Sequence, residues 1–300
     1  MLTEFPKFKH LELSDKKAVE KFTSSFDPYS DFNFTSLWSW DTDRKLSVSI
    51  LNGNMVVKMP DYVKNQQIVT FIGDNKVDET IIDLLDYNRT NKLGMSLKLI
   101  PEITIDSIKK TDQFEIKEDS DNNDYILSVD EIVNLKGNKF KKKRHQVNRF
   151  ESAHPGYIVD VLDLDDSKTQ KEIRDLTTLW TNNSNEDGLN RNEIVALERI
   201  LHSSKHLGVE GIGCYVDNSL VAYGIFEKLD KYYGIAHFEK ANTHYQGIYA
   251  FINQAQAKHL KLAGCEFYNI EQDLAVPGLK RSKQDWKPIK FLKKFTVSLR

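Results

Sequence analysis

The stretch KYYGIAHFEKANTHYQGIYAFINQAQAKHLKLAGCEFYNI, residues 231–270, reads as strand, turn, helix and strand. Aromatic and β-branched residues crowd KYYGIAHFEKA, then Asn242, Thr243 and Gly247 break the run. From Ile248 the apolar residues recur at helical spacing, and Ile248, Phe251, Ile252, Ala255 and Leu262 are expected to mark the buried face. CEFYNI closes the unit as a second strand. Upstream, GIGCYV and LVAYGIFEKL read as strands joined at Asp217-Asn218, behind helices at Lys171–Thr181 and Asn192–Lys205. Downstream come a short helix near Gly278–Gln284 and a last strand, IKFLKKFTVSL.

The first half repeats this order. Helices are expected at Ser14–Ser25, with Ser14 as N-cap, and at Phe34–Trp40. LSVSIL and MVVKM flank the hairpin turn Asn52-Gly53-Asn54, and QQIVTFIG supplies a third strand. A helix over Val77–Asn91 precedes the strand MSLKLI, a helix near Ile103–Lys109 and the strand FEIK. Two copies of one order within 300 residues predict two mixed α/β units, 1–125 and 126–300, the second led by a basic helix.

Composition excludes several classes. With 40% hydrophobic and 29% charged residues the chain has the balance of an ordinary folded protein. No run approaches the roughly 18–20 apolar residues a membrane helix needs, and the start carries no secretory core, so a cytoplasmic protein without membrane insertion is expected. Cys214 and Cys265 each sit in an apolar run and are expected to be reduced and buried. His202 and His206 have i, i+4 spacing but no third ligand, so no metal is expected. Neither a dinucleotide fingerprint nor a phosphate-binding Walker loop occurs.

The net charge of −2 conceals strong patterning. Acids dominate from Asp106 to Glu131, whereas Lys136 to Arg149 carries seven Lys and Arg residues and no acid. A second basic segment runs from Lys280 to Arg300 against the single acid Asp285. Two such clusters either form solvated surfaces or join to hold a polyanion.

An antiparallel meander followed by a helix and a returning parallel strand resembles the acetyltransferase-like (GNAT) fold. In that family the turn ahead of the long helix offers backbone N–H groups to a pyrophosphate. The acyl-CoA pattern of Arg or Gln, two residues, Gly, one residue, then Gly or Ala is matched only in part, with His244, Gly247 and Tyr249 at its three positions. A large ring at the last small position disfavours acetyl-CoA as donor. The stretches NIEQDLAVPGLKRSKQDWKP (269–288), SDFNFTSLWSWD (30–41) and LKGNKFKKKRHQVNRF (135–150) resemble tandem GNAT-like proteins akin to the C-terminal domain of phosphatidylglycerol lysyltransferase. Relatives of that domain, like the Fem-type transferases, take their acyl group from aminoacyl-tRNA. The resemblance therefore implies an acyl-transfer enzyme with tRNA as partner, no tightly bound cofactor and a small-molecule or peptide acceptor. Acyl-CoA as donor, or a binding or regulatory protein that has lost catalysis, are the alternatives.

Candidate site residues follow from the quoted stretches. Glu271 and Asp273 alternate after a strand, and if the chain stays extended both carboxylates face one side, where either would take a proton from an attacking amine or hydroxyl. Pairing with Lys280, Arg281 or Lys283 is the structural alternative. Phe140, Arg144 and Val147 fall on one helical stripe, so Arg144 is expected to meet an internal anion or a ligand phosphate, with Lys143 beside it. His244, Tyr245, Gly247, Lys280, Arg281 and Lys283 complete the expected donor or phosphate site. Tyr245 and Tyr249 fit as proton donors in the cleft, with packing beside Gly247 the safer reading.

Overall fold

The computed structural model describes residues 2–61, 66–182, 187–230 and 232–300. The first half of the chain holds β1 (Lys9–His10), α1 (Lys16–Thr23), α2 (Phe34–Trp40), β2 (Ser47–Leu51), β3 (Asn54–Asp61), β4 (Gln66–Ile72), α3 (Val77–Thr90), β5 (Ser96–Pro101), α4 (Glu102–Ile105) and β6 (Phe114–Glu118). The second begins with β7 (Asp124–Ser128), α5 (Val129–Asn134), α6 (Lys141–Ala153), β8 (Ile158–Leu162), α7 (Ser167–Asn182) and α8 (Asp187–Leu207). Then follow β9 (Glu210–Val216), β10 (Ser219–Lys228), β11 (Tyr233–Ala241), α9 (Ile248–Leu262), β12 (Phe267–Asn269), α10 (Pro277–Gln284), β13 (Lys290–Leu292) and β14 (Lys294–Leu299).

The chain divides into two compact units. One comprises Met1–Asp124, Gln272–Val276 and Phe291–Arg300, the other Tyr125–Glu271 and Pro277–Lys290. The expected division at 125/126 thus omits two later segments that return to the first unit. IKFLKKFTVSL is not one strand of the second unit, because it breaks after Leu292 and its end, β14, pairs antiparallel with β5 and β6. Burial explains the return: Val297 is fully buried in the first unit's core with Val56, Phe71, Leu84, Leu97 and Phe114.

In the first unit β1 to β4 form an antiparallel sheet and β5, β14 and β6 a second. The Asn52-Gly53 hairpin turn takes left-handed φ at both residues, 53° and 80°, which matches strand twist. Ser14 does not cap a helix. It lies in a 3-10 turn, Leu13–Asp15, where the Asp15 carboxylate accepts the Glu12 N–H, and α1 starts only at Lys16.

Lys294 is the most demanding residue of this unit. Its side chain is fully buried, pairs with Asp124 at 2.8 Å and with Asp31, and donates to the Ser30 hydroxyl at 3.2 Å. Ser30 in turn donates to Asp124 through its hydroxyl at 2.6 Å and its N–H at 2.8 Å, and its hydroxyl oxygen lies 2.7 Å from the Gln272 side-chain amide. Burial works against the ammonium's charge, but the two aspartates outweigh it and raise its pKa. Four distant points of the sequence thereby meet in one network.

The second unit is built on a sheet in the order β13-β7-β12-β11-β10-β9-β8. β9, β10 and β11 form the expected antiparallel meander, its first turn at Asp217 and Asn218 with φ of 50° and 61°. β7 and β8 were not visible in the sequence pattern. β12 runs parallel to β11 only over Tyr233–Ile235 against Phe267–Asn269, after which β11 continues to Ala241 paired with β10 on its other side. Helix α9 packs on the sheet with α5 and α6, and Phe251 sits between Phe150 and Tyr157 with ring centroids 4.6 and 4.7 Å away. The expected buried face holds for Ile248, Phe251, Ile252 and Ala255, but Leu262 is 90% exposed. Leu260 is buried instead, on a contact so close that a Cβ at Gly234 would lie 2.6 Å from it, while Leu262 ends the helix just before the left-handed Gly264.

Among the described residues no helix is long and apolar enough to cross a membrane, and no cluster of His, Cys, Asp and Glu is arranged to hold a metal. Cys214 and Cys265 are free and buried, and burial pushes the Cys214 thiol up to about 12.

Replacing Lys294 with Met strands two buried carboxylates. The first unit is expected to lose about 3–5 kcal/mol of stability, read from its urea midpoint.

Candidate functional site

A cavity of about 360 Å3 opens at the N-terminus of α9 in the second unit. Three segments build it: Lys142, Lys143 and Gln146 from α6, the turn Thr243–Ala250, and Gly278, Arg281, Ser282 and Asp285 from α10. Residues of both basic segments therefore line one cavity. The first-turn N–H groups of α9 add a partial positive charge there. Within it, Asp285 is taken up by Lys142 at 2.8 Å, and that hydrogen bond lowers its pKa.

Lys143 is the buried cation of the site. It lies on the inner stripe of α6, where Phe140, Lys143, Val147 and Phe150 are buried, and its ammonium stands 4.2 Å above the Trp286 ring. Burial pushes it down to about 8, against the pull of Asp285 and Glu239. The stripe therefore passes through Lys143 and not through Arg144. Arg144 is half-buried and donates to the carbonyls of Leu135 and, at 3.2 Å, Gly137, so it braces the loop ahead of α6 and does not line the cavity.

Gly247 is fixed by sterics. It caps α9 with φ of 90°, and a Cβ there would lie 2.0 Å from the Gln146 carbonyl oxygen. The glycine lets α6 approach the turn, which brings Lys142 and Lys143 to the helix N-terminus. Tyr245 lines the cavity and packs against His154 with ring centroids 5.0 Å apart, whereas His244 is exposed and lies outside the lining. Tyr249 also lines it, and burial raises its hydroxyl to about 12.

Lys280 and Lys283 belong to α10 but not to the lining, and Lys283 donates to the Ile270 carbonyl. Glu271 and Asp273 do not share one face of an extended strand. β12 ends at Asn269, and Glu271, Leu274 and Ala275 take left-handed φ of 57°, 54° and 59°. Asp273 is fully buried in the segment counted with the first unit and accepts the Ala275 N–H at 2.9 Å. Glu271 is 20% exposed and lies 3.7 Å from His237.

Beyond the parting of β11 and β12 the structure buries polar groups that sequence reasoning missed. Glu239 accepts from Asn253 at 3.2 Å and from Gln256 at 2.5 Å, and Tyr268 donates to Gln256 at 2.9 Å. Burial pushes Glu239 up to about 7, with the two amides and the nearby Lys143 and Lys240 restraining it. Lys240 lies 3.5 Å from the Trp180 ring and pairs with Glu193 at 2.7 Å. His237 is held between Glu227 and Glu271. The available signal was His237, Glu239 and Lys240 interrupting an otherwise apolar central strand.

Two variants check this geometry. Gly247→Ala combines left-handed φ with a backbone clash and is expected to cost about 2 kcal/mol or more, measured by urea unfolding. Glu239 has a folded pKa above its ordinary 4.5, so the folded state binds the extra proton and stability falls as pH rises from about 4.5 to about 7. Glu239→Gln is expected to remove that part of the pH profile, seen as the difference between the two proteins' midpoints across pH 4–8.

Comparisons with known proteins agree with this architecture. No curated protein matches the chain. A conserved protein of unknown function from Bacteroides thetaiotaomicron is 25% identical, with a TM-score of 0.85 over 98% of this chain and 99% of that one. The C-terminal domain of a protein assigned as a lysylphosphatidylglycerol synthetase in Agrobacterium fabrum superposes with a TM-score of 0.66 at 13% identity, covering 96% and 92%. A tandem GNAT protein of the clavulanic acid pathway gives 0.51 at 8% identity, covering 98% of each chain, so the fold is GNAT-like. The family profile described as "Phosphatidylglycerol lysyltransferase, C-terminal" matches residues 24–298, and the chain belongs to that family.

Proposed function

We propose that this protein is an aminoacyltransferase that draws its acyl group from aminoacyl-tRNA. The observation that carries the reading is the cavity at the α9 N-terminus, where Lys142, Lys143 and Arg281 converge on a helix end. Phosphates of the tRNA acceptor end would be met there by charge-assisted hydrogen bonds from Lys143 and Arg281 and by the helix N–H groups. Glu271 would take the proton of the attacking group.

An aminoacyl ester is already activated, so no protein nucleophile is required. Holding donor and acceptor in line supplies most of the rate, and one positioned carboxylate supplies the proton transfer. The family's name makes lysine the first amino acid to test, and the acceptor is a hydroxyl or amine of a small molecule or peptide. Acyl-CoA is the weaker donor candidate, because Tyr249 places a ring in the cavity where an acyl-CoA site keeps a small residue.

Filter binding with lysyl-tRNA and uncharged tRNA is expected to show affinity that falls steeply with salt. Arg281→Ala and Lys143→Ala should each weaken it about tenfold and reduce the salt slope by about one. Saturable acetyl-CoA binding in a thermal-shift titration, with no RNA affinity, would overturn the donor assignment.

A further inference from the structure

β11 carries one residue more than β10 just after it leaves β12. Ile225 pairs with Phe238 and Phe226 with Ala236, so His237 is the extra residue of a β-bulge. The pairing of β11 with β12 has ended two residues earlier, at Ile235. A bulge takes a residue out of the ladder and re-aims its side chain. Here both ring nitrogens meet carboxylates: Nε2 lies 3.3 Å from Glu227 Oε1 and Nδ1 lies 3.7 Å from Glu271 Oε1.

The two carboxylates differ in kind. The Glu227 side chain is 4% exposed and sits in the middle of the sheet, on β10 opposite Ile235. The Glu271 side chain is 20% exposed, on a left-handed residue beyond the end of β12. Glu227 is closed off from solvent, whereas part of the Glu271 side chain is open to it. The imidazole is 2% exposed in its side chain, too deep to meet a substrate itself.

We propose that His237 is a positioning residue, braced by Glu227, which holds the Glu271 carboxylate in place as the proton acceptor of acyl transfer. The assignment rests on the acyl-transfer function proposed above. In that step the acceptor's heteroatom bonds to the carbonyl carbon of the aminoacyl ester, and its own O–H or N–H bond breaks. The proton passes to Glu271. The ester C–O bond then breaks, and the ribose oxygen leaves with the proton returned from Glu271.

The charge state of the array fits a brace. Burial disfavours the imidazolium, but Glu227 and Glu271 outweigh it and raise the ring from its ordinary 6.5 to about 9. Among the described residues, Glu227 from β10 and the residue Glu271 that follows β12 are the charged groups that raise the ring, while Glu239 further along β11 accepts from Asn253 and Gln256. The imidazolium therefore persists at neutral pH and is lost as pH rises through about 9.

Two readouts on the full chain test the proposal. Ring NMR should show His237 titrating near pH 9, and titrating lower in Glu271→Gln and in Glu227→Gln. Kinetics of lysyl transfer from lysyl-tRNA to hydroxylamine, a simple nucleophile, should show kcat about tenfold lower in His237→Gln with KM for the donor within about twofold. The fall in wild-type kcat above pH 9 should vanish in His237→Gln and move to lower pH in Glu227→Gln. If His237→Gln does not fold, Glu227→Gln carries the test alone. Wild-type transfer with kcat and pH profile unchanged in these variants would overturn this inference and leave the function standing. A His237 titration indifferent to Glu271→Gln would also overturn it. No transfer by the wild type, with the ring still coupled to Glu271, would overturn the functional reading and the proton-acceptor role with it.

Discussion

Three residues of parallel pairing between β11 and β12, and no more, set the terms for the second unit. Where the strands part, β11 loses a neighbour while still inside the sheet, and the buried polar side chains it carries there need partners of their own. His237 does so between two carboxylates, Glu239 through amides of α9, and Lys240 through Glu193 and the Trp180 ring. Each solution positions a charged group at a parting that a fully paired sheet would have closed. α9 starts beyond the same parting, so its N-terminus and the cavity around it depend on the same feature.

Both units carry a meander, a helix and a following strand, and use them to different ends. In the first, the turn from β4 into α3 is filled by its own side chains. Asn54 donates to the Asn75 carbonyl at 2.6 Å and to Thr80 at 3.0 Å, accepts the Asn75 N–H at 3.2 Å, and stands where a Cβ on Gly73 would be. Asp78 accepts two more backbone N–H groups, those of Lys109 and Lys110. The corresponding turn of the second unit, ahead of α9, is left open and lined with cations. The buried charge of the first unit is spent on architecture, in the Lys294 network that gathers Ser30, Asp31, Asp124 and Gln272.

Much of this was legible in the sequence. Hairpin turns at Asn52-Gly53 and Asp217-Asn218 and the helical spacing from Ile248 follow local rules, and the structure keeps them. What escaped depends on distant partners. Arg144 and Lys143 are neighbours on one helix, and it is Lys143 that falls on the buried stripe with Val147 and Phe150 and meets Trp286. Glu271 and Asp273 look paired only if the backbone is extended, and three left-handed residues undo that. The return of β14 to the first unit follows from a buried lysine whose aspartates lie 170 and 263 residues earlier in the chain.

The central claim is that the second unit's cavity receives the phosphate end of an activated donor. A crystal structure with a non-hydrolysable lysyl-adenosine phosphate analogue tests it directly. The account predicts the phosphate within hydrogen-bonding distance of Lys143, Arg281 and the N–H groups of the first turn of α9. Ordered density for the analogue elsewhere on the molecule, with this cavity holding only solvent, would contradict it.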